Sequence, residues 1–190
     1  MKQKELILKR FDNLNFLKAS HEIVKYSPEY YDENGVYQRN EWTAFSDIGK
    51  EFEGKVVTKE DYLDVENRFI DITQSILKAA GCTYITLGYI YSRRKNLKEG
   101  KRVRISDIAP YIRLALRGKA YIVFINSKRN IQFDFSEDYL YMHLYCRISD
   151  SQLNSIVESR GLYLDPRVKR VIMFDDDNDE LNIYYFDKNA

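Results

Sequence analysis

The sequence predicts an α+β fold: a mainly antiparallel sheet with about three helices packed on it, ending in a C-terminal hairpin. Two periodicities carry that prediction. Leu140, Met142, Leu144, Cys146 and Ile148 alternate with Tyr141, His143, Tyr145 and Arg147, which gives a strand one apolar and one polar-aromatic face. Tyr62, Val65, Phe69, Ile72 and Ile76 recur every three or four positions, the apolar stripe of an amphipathic helix. Hairpins follow one another with only a few helices between them, which fits helices layered on an antiparallel sheet and not a doubly wound parallel one.

The first 40 residues are the least patterned and read as a loosely packed N-terminal segment of a single domain spanning 1–190. Within it, Glu5 to Phe11, Phe16-Leu17 and Ile23-Val24 are short apolar runs. Tyr26 to Tyr37, with Pro28, Asn34 and Gly35, reads as an extended loop. Glu41 to Gly54 reads as irregular, with a helical turn near Ser46 to Gly49 and Trp42, Phe45, Ile48 and Phe52 as apolar anchors. The helix that follows is capped by Thr58 with Asp61 three residues on, and stopped by Gly81. Asp64, Glu66, Asp71 and Lys78 are expected on its other faces.

Cys82 to Tyr91 is β-branched and aromatic, a strand feeding a basic loop from Arg93 to Arg104. Ser106 opens a second helix to Arg117, with Pro110 in the first turn, where a missing N–H is tolerated. Ala120 to Ile125 and Ile131 to Phe135 are strands around a polar turn. Ser149 with Gln152 caps a short helix ending at Gly161. Val168 to Phe174 and Leu181 to Phe186 flank an acidic tip.

Composition narrows the function. Apolar residues make up 44% and charged residues 31% of 190 positions, as in a folded globular chain. The formal net charge of +1 supplies no global field toward nucleic acid or membrane. No apolar run approaches the roughly 20 residues that cross a bilayer. The charged start Met1-Lys2-Gln3-Lys4-Glu5 is no signal peptide. A cytoplasmic protein is expected.

No residue set reads as an active site. His143 lies on the polar face of its strand, three positions from Cys146 and so on the opposite face from that thiol. Cys82 and Cys146 are expected to be buried thiols. The two Cys and two His show no chelating spacing, so no metal and no cofactor are expected. Counted from Asp175, the acidic run places Glu180 and Phe186 where a calcium loop needs Gly and Glu. Phosphate-cradling glycine loops and the nucleophile elbow are absent.

One string is distinctive. Glu41-Trp42-Thr43, Ser46-Asp47-Ile48-Gly49-Lys50, Phe52, Gly54, Thr58, Asp61-Tyr62-Leu63 and Val65-Glu66 form the pattern EWTxxSDIGKxFxG followed by TxxxYLxVE. This resembles immunity proteins encoded beside the toxins of contact-dependent growth inhibition and other polymorphic toxin systems, over roughly residues 41–70. The resemblance implies a bacterial cytoplasmic toxin inhibitor that acts by protein–protein interaction. It would have no catalysis of its own and would bind the C-terminal domain of its cognate toxin, a nuclease in many such systems, by covering the active site or substrate groove. The motif residues themselves are expected to be structural, with Trp42 and Phe52 as anchors and Gly49 and Gly54 at turns.

For the partner surface the sequence offers Asp175, Asp176, Asp177, Asp179 and Glu180 with Tyr184 and Tyr185, since an acidic, tyrosine-bearing hairpin complements a basic nuclease groove. The alternative is a nucleic-acid-binding module built on the basic loop, with Arg93, Arg94, Lys101 and Arg102 as phosphate contacts. The neutral total charge and the acidic tip speak against nucleic acid as the partner.

Overall fold

A computed structural model describes residues 20–33, 36–92, 97–136, 140–165, 168–175 and 180–187, the last two segments as backbone only. Its center is a seven-stranded sheet. In chain order the strands are β1 (Ser20–Val24), β4 (Tyr84–Tyr91), β5 (Arg102–Arg104), β6 (Tyr121–Asn126), β7 (Ile131–Ser136), β8 (Tyr141–Tyr145) and β9 (Tyr163–Leu164). They are ordered β5-β4-β6-β7-β8-β1-β9, and every neighboring pair is antiparallel. Two short strands, β2 (Glu51–Phe52) and β3 (Lys55–Val56), make a separate hairpin, and β10 (Val168–Asp175) pairs antiparallel with β11 (Glu180–Asp187). Three helices complete the fold: α1 (Lys59–Ala79), α2 (Ala109–Leu116) and α3 (Asp150–Glu158). The α+β class and the C-terminal hairpin are as the periodicities predict.

The helices lie on one sheet face, and alternation along the strands decides which residues meet them. Ile23, Phe124, Phe133, Phe135, Met142 and Leu144 point to that side and join Phe69, Ile72 and Ile76 of α1 and Ile112 and Leu116 of α2 in one core. Phe124 stacks on Phe133 at 4.7 Å, and Phe69 meets Phe135 edge-on. Cys82 and Cys146 are free thiols inside this core, and burial pushes the Cys146 thiol up to about 11. Cys146 thus sits on the helix side of the sheet and His143 on the other, as their spacing predicts.

The caps of α1 follow the sequence. The Asp61 N–H donates to Thr58 Oγ1 at 3.1 Å and the Thr58 N–H to Asp61 Oδ2 at 2.9 Å, a reciprocal capping box. Gly81 ends the helix at φ +68°, a left-handed position where a Cβ is disfavored.

Three features differ from expectation. Ile23-Val24, in the segment read as loosely packed, belongs to an interior strand, β1, held between β8 and β9, and both residues are buried. Ser106 does not cap a helix; it lies in a 3-10 turn over Ile105–Asp107, donates to the Asp107 carboxylate, and α2 begins only at Ala109. Glu66, expected on a solvated face, is fully buried. Its oxygens accept from Arg113 Nε at 3.1 Å and from Arg117 Nε and Nη2 at 2.6 and 2.7 Å. The guanidiniums of Arg113 on α2 and Arg117 at its C-cap replace the water the carboxylate loses, which lets a charge sit within the apolar stripe.

Candidate binding cleft

The string between Glu41 and Glu66 builds a knuckle on the N-terminal end of α1. Asp47 organizes it: Oδ2 accepts the N–H groups of Thr43 and Ala44 at 2.9 and 3.0 Å, and Oδ1 accepts Lys50 Nζ at 2.8 Å. Burial works against the Asp47 carboxylate, but these donors hold its pKa below the usual value. The chain then turns back through β2 and β3. Glu53 and Gly54 link them, both at positive φ, the two-residue loop that matches strand twist. Glu53 is steadied there by Arg39 and by the Asn40 N–H. Trp42 and Phe45 pack on the Tyr62 ring at 5.8 and 5.0 Å, and Tyr62 donates its buried hydroxyl to the Leu116 carbonyl at 3.1 Å. Trp42 is therefore an anchor, as expected, although only partly buried. Phe52 is half-buried and lines a surface recess instead of the core.

Trp42 also forms a wall of a cleft of about 460 Å³. Lys25, just beyond β1, reaches the same place. Its Nζ stands 4.1 Å from the Trp42 ring and 4.7 Å from the Tyr26 ring, and donates to Glu41 Oε2 at 3.2 Å. Glu41 is fixed from its other oxygen by the Tyr37 hydroxyl at 2.6 Å. Burial lowers the Lys25 pKa from its ordinary value, and the Glu41 carboxylate opposes the shift. Glu60, Asp61, Asp64, Val65 and Arg68 of α1 and Gly161 close the cleft. Asp61 is held well below the usual carboxylate range, first by the Lys55 ammonium and then by its Thr58 bonds. A second recess, of about 200 Å³, shares Glu41, Trp42 and Asp61. Sequence reasoning missed the cleft. Trp42 and the acids were visible, but Lys25 lay in unpatterned chain and meets Glu41 only through the fold.

The sheet face away from the helices carries a second constellation. Register aligns Glu22 on β1, His143 on β8 and Asp134 on β7 in one row. His143 Nδ1 lies 2.8 Å from Asp134 Oδ1, and Nε2 lies 3.1 Å from Glu22 Oε1. The second contact is an ion-pair approach without hydrogen-bond alignment. All three residues are buried, and Cys82 and Cys146 lie in the helix-side core. Both ring nitrogens face carboxylates, Nδ1 in a hydrogen bond and Nε2 in close approach, an arrangement that links three strands. Among the described residues no cluster of His, Cys, Asp and Glu is arranged to hold a metal ion, and no helix is long and apolar enough to cross a membrane.

The residues singled out from sequence fall as follows. Asp175 and Glu180 are paired at the end of the β10–β11 hairpin, and Tyr184 and Tyr185 lie on β11, all in segments described as backbone. Asp176, Asp177 and Asp179 lie outside the described residues, as do Arg93 and Arg94. Lys101 and Arg102 are separated by the strand. Lys101 Nζ bonds the Tyr111 hydroxyl of α2 at 2.7 Å, while the Arg102 guanidinium stacks 3.4 Å over Tyr84, whose neighbor Ile85 is the one that enters the helix-side core. Compared with known protein families, with curated proteins and with solved structures, the chain matches none.

Proposed function

We propose that this chain is an immunity protein: in the cytoplasm it binds the C-terminal domain of a cognate secreted toxin, a nuclease, and neutralizes it without catalyzing any reaction. The observation that carries the reading is the distinctive string. Its residues are spent on a built knuckle, and three of the side chains it leaves at the surface, Glu41, Trp42 and Asp61, line a cleft. An aromatic anchor ringed by charge is what a recognition surface requires. The enclosure of His143 between two carboxylates supports a structural role for it and not a catalytic one. The split of Lys101 and Arg102 to different partners leaves the nucleic-acid alternative with less of a shared patch.

The test is co-expression with the C-terminal domain encoded immediately upstream. The expected result is co-purification as a stable complex and rescue of growth in cells producing that domain. A chain that neither retains the domain nor restores growth does not have this function.

A further inference from the structure

We infer that the buried row Asp134–His143–Glu22 is a proton lock: the folded chain holds His143 as an imidazolium between the two carboxylates, and the sheet loses stability as rising pH removes that second proton. Every group belongs to the fold, so no partner is needed and the immunity reading is not assumed.

The geometry asks for a second proton on the ring. A neutral imidazole has one N–H donor and one lone pair, while an ionized carboxylate only accepts. Whichever nitrogen lacked its hydrogen would aim a lone pair at a carboxylate oxygen, 2.8 Å away at Asp134 or 3.1 Å away at Glu22. With both nitrogens protonated, each faces an anion as part of a cation. His143 is 6% exposed and both acids are 3% exposed, so bulk solvent screens little of this attraction. Burial by itself favors the neutral ring, and two adjacent anions oppose it. Asp165 adds a third. Its N–H donates to the Glu22 carbonyl at 2.8 Å, one step beyond the Ile23–Leu164 pair, which sets it opposite Glu22 on the same sheet face, and it too is buried. The nearest residues of that face along β8 are Tyr141 and Tyr145, and those across on β7 are Gln132 and Ser136, none of them charged at neutral pH. Strand β10, described as backbone, runs beside β1 and carries Lys169, Arg170 and Asp175. His21 differs: it alternates with Glu22 to the opposite face of β1, and its Nε2 lies 3.9 Å from Asp150 of α3.

A histidine that binds its second proton more tightly folded than unfolded contributes in full below the unfolded value of about 6.5, and the contribution is lost as pH rises toward the folded value. Across that window the folding equilibrium constant should fall about tenfold per pH unit. Ring-nitrogen NMR on the intact chain reads the protonation directly, because the two ring shifts nearly coincide in an imidazolium and separate widely in a neutral ring. The chain has two histidines, so His21→Gln assigns the signals. His143 is expected to remain an imidazolium at about pH 7, where an unperturbed histidine is mostly neutral. Glu22→Gln should lower the proton affinity of the ring about tenfold. Urea unfolding followed by Trp42 emission, from about pH 6.5 to 8, should show the tenfold fall per unit, and His143→Gln should remove most of it. The window stops there because burial also holds the Cys82 and Cys146 thiols protonated above their ordinary range. A neutral His143 ring at about pH 7 in the wild-type chain, ring protonation unmoved by Glu22→Gln, or equal pH slopes for the wild-type chain and His143→Gln overturns the inference. The first of these readings needs no substitution in the row, so it decides even where a variant fails to fold.

Discussion

Glu66 shows what a single buried charge demands. Its carboxylate, with no exposed surface, is tolerable only because Arg113 of α2 and Arg117 at the C-cap of that helix reach it with three N–H donors between them. Removing the partners and keeping the acid strands a charge in the core. Arg113→Ala/Arg117→Ala is therefore expected to cost about 3–5 kcal/mol in urea denaturation, and combining it with Glu66→Met to recover most of that loss. If the triple variant is no more stable than the double, the clamp is not what the double variant lost. Nothing in the sequence marks this clamp. Glu66 stands at stripe spacing from Tyr62, Phe69 and Thr73, but a glutamate reads as a solvated face, and its partners lie 47 and 51 positions away. Lys25 and Glu41 were hidden in the same way. By contrast, the opposition of His143 and Cys146 was legible because it needs only alternation along one strand.

Elements whose signals are local were read well from the sequence, and those shaped by a neighbor were not. The reciprocal Thr58–Asp61 cap and the Gly81 stop of α1 need only adjacent residues. The start of α2 does not: Ile108 at its N-cap makes no side-chain cap, and its buried side chain, set by tertiary packing, places the helix. Strand β4 shows the limit most clearly. Its run CTYITLGYIY reads as one continuous strand, yet the register against β6 slips between Leu87 and Tyr89. Gly88 marks the slip, since glycine inside a strand often signals a bulge or a close approach. The approach is tight: a Cβ there would stand 2.3 Å from Ile125 Cδ1, 2.9 Å from its Cγ1 and 3.3 Å from the Val123 carbonyl oxygen. Gly88→Ala is therefore expected to destabilize the chain by about 1–3 kcal/mol through overpacking. Ile125→Val removes the nearest atom, so the two substitutions should be less costly together than their sum. Strict additivity in thermal unfolding would show that the Ile125 side chain is not what excludes a larger residue.

At the scale of the whole molecule the sheet combines two kinds of pairing, and they predict different folding behavior. Strands β6, β7 and β8 follow one another along the chain and pair in order, so their loops close at small entropic cost. Strand β1 instead crosses the full length of the domain to lie between β8 and β9, with Ile23 opposite Met142 and Leu164. That placement was not readable from sequence, since five residues of β1 carry no signal of which strand they will join. It also creates the Glu22–His143–Asp134 row, which exists only once three strands are in register. Closing so long a loop early is unfavorable before the rest of the core is there to hold it. Docking of β1 is thus expected after the rate-limiting step, and the β6–β7–β8 meander before it. In stopped-flow measurements Ile23→Ala should then mainly accelerate unfolding, with refolding little changed, while Phe133→Leu should slow refolding. Refolding slowed by Ile23→Ala in proportion to its full loss of stability would place β1 in the nucleus and reverse that order.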